Sequence, residues 1–74
     1  MPTIDIVATG RTIDSLMRQN NMTVNDVVKI MGFGSKTSVY KWINGISIPS
    51  IDSIIILAHI FHVTIDDIIQ INVA

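Results

Sequence analysis

The sequence predicts an all-α fold, a compact bundle of five short helices. Apolar residues recur at helical spacing, capping residues stand at the starts of these segments, and glycine stands at the end of two of them. The chain has 74 residues and is 49% hydrophobic, which suits one packed domain rather than a disordered chain. Its many isoleucines favour strands by propensity, but spacing and caps outweigh that preference.

The first helix is predicted in TGRTIDSLMRQNN, where Ile13, Leu16 and Met17 follow the spacing i, i+3, i+4. Thr9 or Thr12 is expected to be its N-cap. The preceding TIDIV alternates like a strand but is too short to make a sheet alone.

The second helix is predicted in TVNDVVKIMG. Thr23 and Asp26 have the spacing of a capping box, and Gly32 is expected to end the helix. The apolar face is formed by Val27, Val28, Ile30 and Met31.

The third helix is predicted in GFGSKTSVYKWING, with Ser35 as N-cap and Asn44-Gly45 as the stop. Val39 and Trp42 are three residues apart and are expected to face the core, with Ile43 as a further candidate. The remaining side chains form an outward face.

The fourth helix is predicted in PSIDSIIILAHIFH, with Ser50 as N-cap after Pro49. A short fifth helix opens TIDDII, where Thr64 and Asp67 again have capping-box spacing. The apolar face of the fourth helix is expected to comprise Ile51, Ile54, Ile55, Ala58 and Phe61. We therefore expect residues 1–8 to be an N-terminal extension, 9–69 the folded domain and 70–74 a C-terminal tail.

Charge is segregated along a chain whose net charge is −1. Residues 27–45 carry three lysines and no acid, whereas the residues from 46 onward carry three aspartates and neither Lys nor Arg. The sequence has no membrane-length apolar run, no secretory signal pattern and no cysteine, so we expect a cytoplasmic protein that neither spans a membrane nor uses thiolates.

Two short helices joined by a glycine-containing turn, between residues 23 and 45, have the outline of a helix-turn-helix. The segments TVNDVVKIMG, SVYKWING and PSIDSIIILAHIFHVTIDDII, in that order, resemble the phage-repressor/Cro-like family of helix-turn-helix regulators, also called the xenobiotic-response-element type. The likeness covers roughly residues 9–69 and implies a lambda-repressor-like DNA-binding domain. Two features depart from the family: the turn is one residue longer, and Val28 stands where a small residue is usual.

The resemblance implies that the third helix, about residues 35–44, enters the major groove of double-stranded DNA. Positions matching Lys36, Thr37 and Lys41 are the base-reading ones, and Ser38 and Tyr40 share their outward face. For Tyr40, a phosphate-binding hydroxyl and a half-buried packing ring remain equally open. Phosphate contacts are expected at Asn44 and at the free backbone N–H groups of the second helix's first turn, from Thr23 to Asn25.

The fourth helix is more apolar than one core face requires. Relative to the family, isoleucines stand at two positions expected to face outward, and we expect an exposed apolar patch formed by Ile55, Ile56, His59, Ile60 and His62. A homodimer on a pseudo-palindromic operator would bury this patch. The alternative is that the fifth helix and TIDIV fold over it.

No catalytic pattern is visible: the sequence has no nucleophile–base arrangement, phosphate loop or glycine-rich fingerprint. His59 and His62 are three apart, but no cysteine or carboxylate pattern completes a metal site around them. We expect no enzyme, no cofactor and no small-molecule ligand. The expected function is that of a small transcriptional regulator, a repressor; the alternative is a protein-interaction or antitoxin-like module that uses the same fold without reading DNA.

Overall fold

The computed structural model describes residues 1–73, which form five helices and two short strands. The elements in chain order are β1 (Thr3–Ile4), α1 (Ile6–Gln19), α2 (Val24–Met31), α3 (Thr37–Ile43), α4 (Ile51–Phe61), α5 (Ile65–Ile68) and β2 (Ile71–Asn72). The predicted five-helix fold is confirmed. The two strands together contain only four residues, so the domain remains a helical bundle.

Helix α1 begins at Ile6, earlier than predicted. Asp5 is its N-cap, and the Asp5 carboxylate accepts a hydrogen bond from the Ala8 N–H at 2.9 Å. The expectation of a cap at Thr9 or Thr12 was wrong, because an aspartate that caps equally well stands four residues before the first of them. The division of the chain at residues 9 and 69 remains a prediction.

The two ends of the chain pair with each other. Strands β1 and β2 are antiparallel, with Ile4 opposite Ile71, and the Asp5 N–H donates to the Gln70 carbonyl at 2.9 Å. The strand-like alternation of TIDIV therefore has a partner, but that partner lies at the far end of the sequence.

Three of the predicted N-caps are confirmed. Thr23 and Thr64 each form a complete capping box with the aspartate three residues later, and the Ser50 hydroxyl accepts from the Ser53 N–H at 3.2 Å. The predicted cap of α3 was wrong: Lys36 occupies that position with helical backbone angles and no side-chain cap. The Ser35 hydroxyl accepts only a long bond, 3.4 Å, from the Thr37 N–H.

The core lies where the helices meet, and α4 contributes the most residues to it. The buried side of α4 includes Leu57, which the predicted face omitted. Ile51 is 78% exposed and Ile55 is 50% exposed, so their assignment to the core face was wrong. Both lie about a quarter turn or more away from the helix side centred on Leu57 and Phe61. The buried apolar residues are Ile13, Met17, Val27, Val39, Trp42, Ile54, Leu57, Ala58, Phe61 and Ile68.

Candidate nucleic-acid interface

Helices α2 and α3 pack against each other and are joined by a turn at residues 32–36. Gly32 has a left-handed backbone (φ 74°), its N–H donates to the Lys29 carbonyl, and the Phe33 N–H donates to the Val28 carbonyl at 3.1 Å. This bonding is a Schellman motif, in which the residue after the glycine commonly makes an apolar contact. The start of the turn is therefore hydrogen-bonded to the last turn of α2.

Phe33 anchors the longer turn to α3. Its ring meets the Trp42 ring edge to face, with centroids 5.7 Å apart and planes at 72°. This geometry is favourable for two aromatic rings, and it ties the turn to the buried side of α3. We did not predict this contact: an apolar residue just after a helix-ending glycine indicates a contact with the last turns of the same helix, here α2, and not with α3.

Helix α3 divides into a buried and an outward face. Val39 and Trp42 are buried, as predicted. We define the outward face of α3 as five exposed side chains. None of these side chains makes a hydrogen bond or an ion pair within residues 1–73. The five are Lys36, Thr37, Ser38, Tyr40 and Lys41. Tyr40 is 45% exposed, and its hydroxyl makes no hydrogen bond within residues 1–73.

Helix α1 supports α3 from behind. A Cβ placed on Gly10 would collide with the Trp42 carbonyl oxygen and crowd the Ile43 carbonyl oxygen at 3.3 Å. The α1 backbone therefore lies directly on the C-terminal end of α3. Next to it, the buried Thr9 hydroxyl accepts a hydrogen bond from the Gln70 N–H at 3.0 Å. Neither role was predicted, because each depends on contacts between distant segments.

All eight predicted DNA-contacting residues are exposed. Six of them lie in residues 36–44, along α3 and at its two ends, and the other two lie at the start of α2. Asn44 is the C-cap of α3, and its backbone N–H bonds back to the Tyr40 carbonyl at 3.0 Å. Both sets of residues therefore lie on the unit formed by α2, the turn and α3.

The first turn of α2 differs from the prediction in one detail. The Thr23 N–H donates to the Asp26 carboxylate at 2.9 Å, so it is not free for a phosphate. This bond from the Thr23 backbone, and after it a hydrogen bond from the Thr23 hydroxyl, lower the pKa of Asp26 below its ordinary value. The positive charge of Lys29 lowers it as well. The Thr23 and Asp26 N–H groups are both taken by the capping box, so the N–H groups of Val24 and Asn25 are the ones left for a phosphate.

Ion pairing separates the cations into two groups. Arg18 pairs with Asp14 at 3.0 Å on α1. In the part of the chain that the structure describes, Arg11 on α1 and the three lysines, Lys29, Lys36 and Lys41, have no such partner. The helix-turn-helix segment therefore carries unpaired positive charge, although the whole chain is slightly acidic.

The predicted patch on α4 stays largely open. Ile55 and Ile56 are 50% and 37% exposed, both histidines are exposed, and Ile60 is half-buried. The alternative, in which α5 and TIDIV cover the patch, was wrong for Ile55 and Ile56. His62 ends α4 in a left-handed conformation (φ 57°). Among the described residues no group of three His, Cys, Asp or Glu side chains is placed to hold a metal ion.

Comparison with known proteins agrees with this geometry. The family model described as a Cro/C1-type HTH DNA-binding domain matches residues 12–73. The chain belongs to this family, a class of DNA-binding regulators that are not enzymes. Searches of curated proteins and of solved structures found no match. None of the helices within residues 1–73 is long and apolar enough to cross a membrane.

Proposed function

We propose that this protein is a transcriptional repressor that binds double-stranded DNA sequence-specifically and has no enzymatic activity. Helix α3 enters the major groove, and the protein acts by occupying an operator. The observation that carries this proposal is the outward face of α3, where five polar side chains have no partner among residues 1–73 while Val39 and Trp42 hold the helix to the core. A helix with this division can meet base edges without losing its packing.

The chemistry of each side chain suggests its role. Lys36 and Lys41 donate to guanine O6 and N7 or to phosphate oxygens, and Thr37 and Ser38 contact base edges or a thymine methyl group. Because Tyr40 is half exposed, a phosphate contact by its hydroxyl is favoured over a purely packing role. Beyond α3, the remaining phosphate contacts fall to Asn44 and to the backbone N–H groups of Val24 and Asn25, since the Thr23 N–H is bonded to Asp26.

The protein acts as a homodimer on a pseudo-palindromic operator. Two copies must present their α3 helices about 34 Å apart, one turn of B-DNA. The protomer measures 36 × 23 × 20 Å, so two copies side by side are compatible with that spacing. The exposed isoleucines of α4 are the apolar surface that such a pair would bury. The expected cytoplasmic location remains a prediction.

Selection of duplexes from a random pool, followed by affinity measurements at several salt concentrations, tests the proposal. We expect an inverted repeat. If the two α3 lysines of both protomers neutralise four phosphates, log K should fall with log[salt] with a slope of about −3.6. Lys36→Ala and Lys41→Ala should each lower affinity and flatten that slope, whereas Lys29→Ala, an exposed lysine on α2 outside the predicted site, should change little.

A protein-interaction or antitoxin-like module remains the second candidate, favoured by the open isoleucines of α4 beside an acidic C-terminal third. Such a protein would enrich no duplex, and its binding to a protein partner would be indifferent to Lys36→Ala and Lys41→Ala. That result would overturn the DNA-binding proposal.

A further inference from the structure

The outer face of α4 carries a symmetric pattern of side chains. We define this face as Ile51, Asp52, Ile55, Ile56, His59 and Ile60. Asp52 and His59 are seven residues apart, close to two helical turns, and therefore lie on one line along the helix. Ile55 and Ile56 lie midway, one on each side of that line. All four are exposed, and the buried side of the helix is opposite.

The pattern reads the same when the helix is reversed. About the midpoint between Ile55 and Ile56, position 52 exchanges with 59 and 55 with 56, while Ile51 and Ile60 lie on the two flanks of the face. A two-fold axis through that midpoint would lay α4 antiparallel to α4 of a second copy, since a two-fold interface brings residue i to j and j to i. Each exchange is complementary: isoleucine meets isoleucine, and a carboxylate meets an imidazole that can donate to it.

We propose that α4 is a self-complementary docking surface for a second copy of this chain, with Asp52 of each copy facing His59 of the other across a centre of Ile55 and Ile56. The proposal rests on the homodimer of the proposed function and adds its arrangement. The charge pattern is what selects a second copy as the occupant. The outer face of α4 carries one acid, Asp52, and one side chain that can donate to it, His59, and an antiparallel two-fold pairing of identical copies brings the two together.

The size of the surface sets the strength of the pair. Helix α4 has 11 residues and is therefore about 16 Å long. A stable interface commonly buries about 800 Å² on each partner, which one short helix face does not reach. We therefore expect association in the micromolar range or weaker without DNA, and stronger association when an operator aligns the two copies.

Sedimentation equilibrium without DNA tests the arrangement, over about 10 µM to 1 mM protein, where small interfaces associate. The wild-type mass should rise towards twice 8.2 kDa. His59→Asp places two carboxylates opposite one another, and Asp52→Lys removes the carboxylate that accepts from the imidazole; each change acts at two symmetric positions, so each should weaken association about tenfold. The double variant reverses both pairs and should regain most of the wild-type association.

Asp66→Lys is the matched control. Asp66, like Asp52, is an exposed acid in the first turn of a helix, but it lies on α5. It should leave association unchanged, and thermal melts monitored by circular dichroism would verify that every variant is folded. A wild-type protein that stays monomeric throughout, single variants that associate like wild type, or a double variant no better than either single one would overturn the proposal. Because no DNA is present, failure here is distinct from failure of the DNA-binding proposal.

Discussion

Helices α3 and α4 both expose about half of their surface, but they do so with opposite chemistry. Helix α3 has seven residues, no side-chain N-cap, and an outward face of lysines and hydroxyl groups. Helix α4 has 11 residues, a serine cap, and an outer face dominated by isoleucine. Polar donors suit base edges and phosphates, whereas exposed isoleucines suit another protein surface.

The difference also concerns what holds each helix in place. A seven-residue helix is not stable alone, so α3 depends on its neighbours. Phe33 lies against its tryptophan, and Gly10 lets the α1 backbone reach its C-terminal end. Helix α4 buries Ile54, Leu57 and Phe61 along its own length. Changes behind α3 should therefore cost stability, whereas changes on the outer face of α4 should affect association and leave the fold intact.

Trp42→Ala should have the largest effect. Removing a buried aromatic side chain typically costs about 3–5 kcal/mol, which is comparable to the total stability expected of so small a domain. Urea unfolding followed by circular dichroism measures the loss. Ile55→Ala, on the half-exposed side of α4, is the control and should cost much less. Equal losses for the two variants would contradict the distinction between the helices.

Gly10→Ala should destabilise by about 1–3 kcal/mol, because the new methyl group collides with the Trp42 carbonyl and pushes α1 off α3. In an unobstructed helix the same change stabilises by nearly 1 kcal/mol, so the sign is informative. Gly34→Ala is the control, since Gly34 has open space around its Cα and no positive φ. Thermal melting of both variants decides the matter, and an increase in Tm for Gly10→Ala would disprove the close approach.

His62→Gly should stabilise by about 0.5–1 kcal/mol, because glycine adopts the left-handed conformation at the end of α4 without steric cost. His59→Gly, three residues earlier inside the same helix, should destabilise by about 1 kcal/mol. Differential scanning calorimetry compares the two. The account of the helix end fails if both substitutions shift Tm in the same direction.

Asp26→Asn should have the smallest effect, visible in its pH dependence. Hydrogen bonds from Thr23 lower the pKa of Asp26 from its ordinary 3.8. A carboxyl group whose pKa falls on folding adds stability above its unfolded pKa and loses it as the pH falls through the folded one. Asp26→Asn should therefore melt below wild type at neutral pH, and the two should converge under acid. Asp66→Asn, an exposed acid in the first turn of α5, provides the control melts, and an Asp26→Asn deficit that persists in acid would refute the capping-box origin.

The features that sequence reasoning predicted are local ones. The capping boxes at Thr23 and Thr64 and the left-handed Gly32 are set by residues within one helical turn of each other, so spacing reveals them. The pairing of β1 with β2 and the bond from Gln70 to Thr9 join the two ends of the chain. No local pattern contains such contacts, and the start of α1 was misplaced accordingly.

The candidate site shows the same division. The spacing of Val39 and Trp42 in a polar segment predicted their burial. It therefore also predicted the exposure of the outward face. The capture of the Thr23 N–H by Asp26 was implicit in the predicted capping box, but its consequence for phosphate binding was not drawn from the sequence. The support from Phe33 and Gly10 depends on tertiary contacts, which spacing alone does not specify.

We propose that α3 meets DNA while α4 meets a second copy. The most direct test is an ¹H–¹⁵N spectrum of the protein titrated with its selected duplex, at a protein concentration high enough to maintain the dimer. We predict the largest amide shifts in residues 36–44 and at Val24 and Asn25, with the exposed α4 residues little changed. Shifts concentrated on α4, with residues 36–44 unperturbed, would contradict the account.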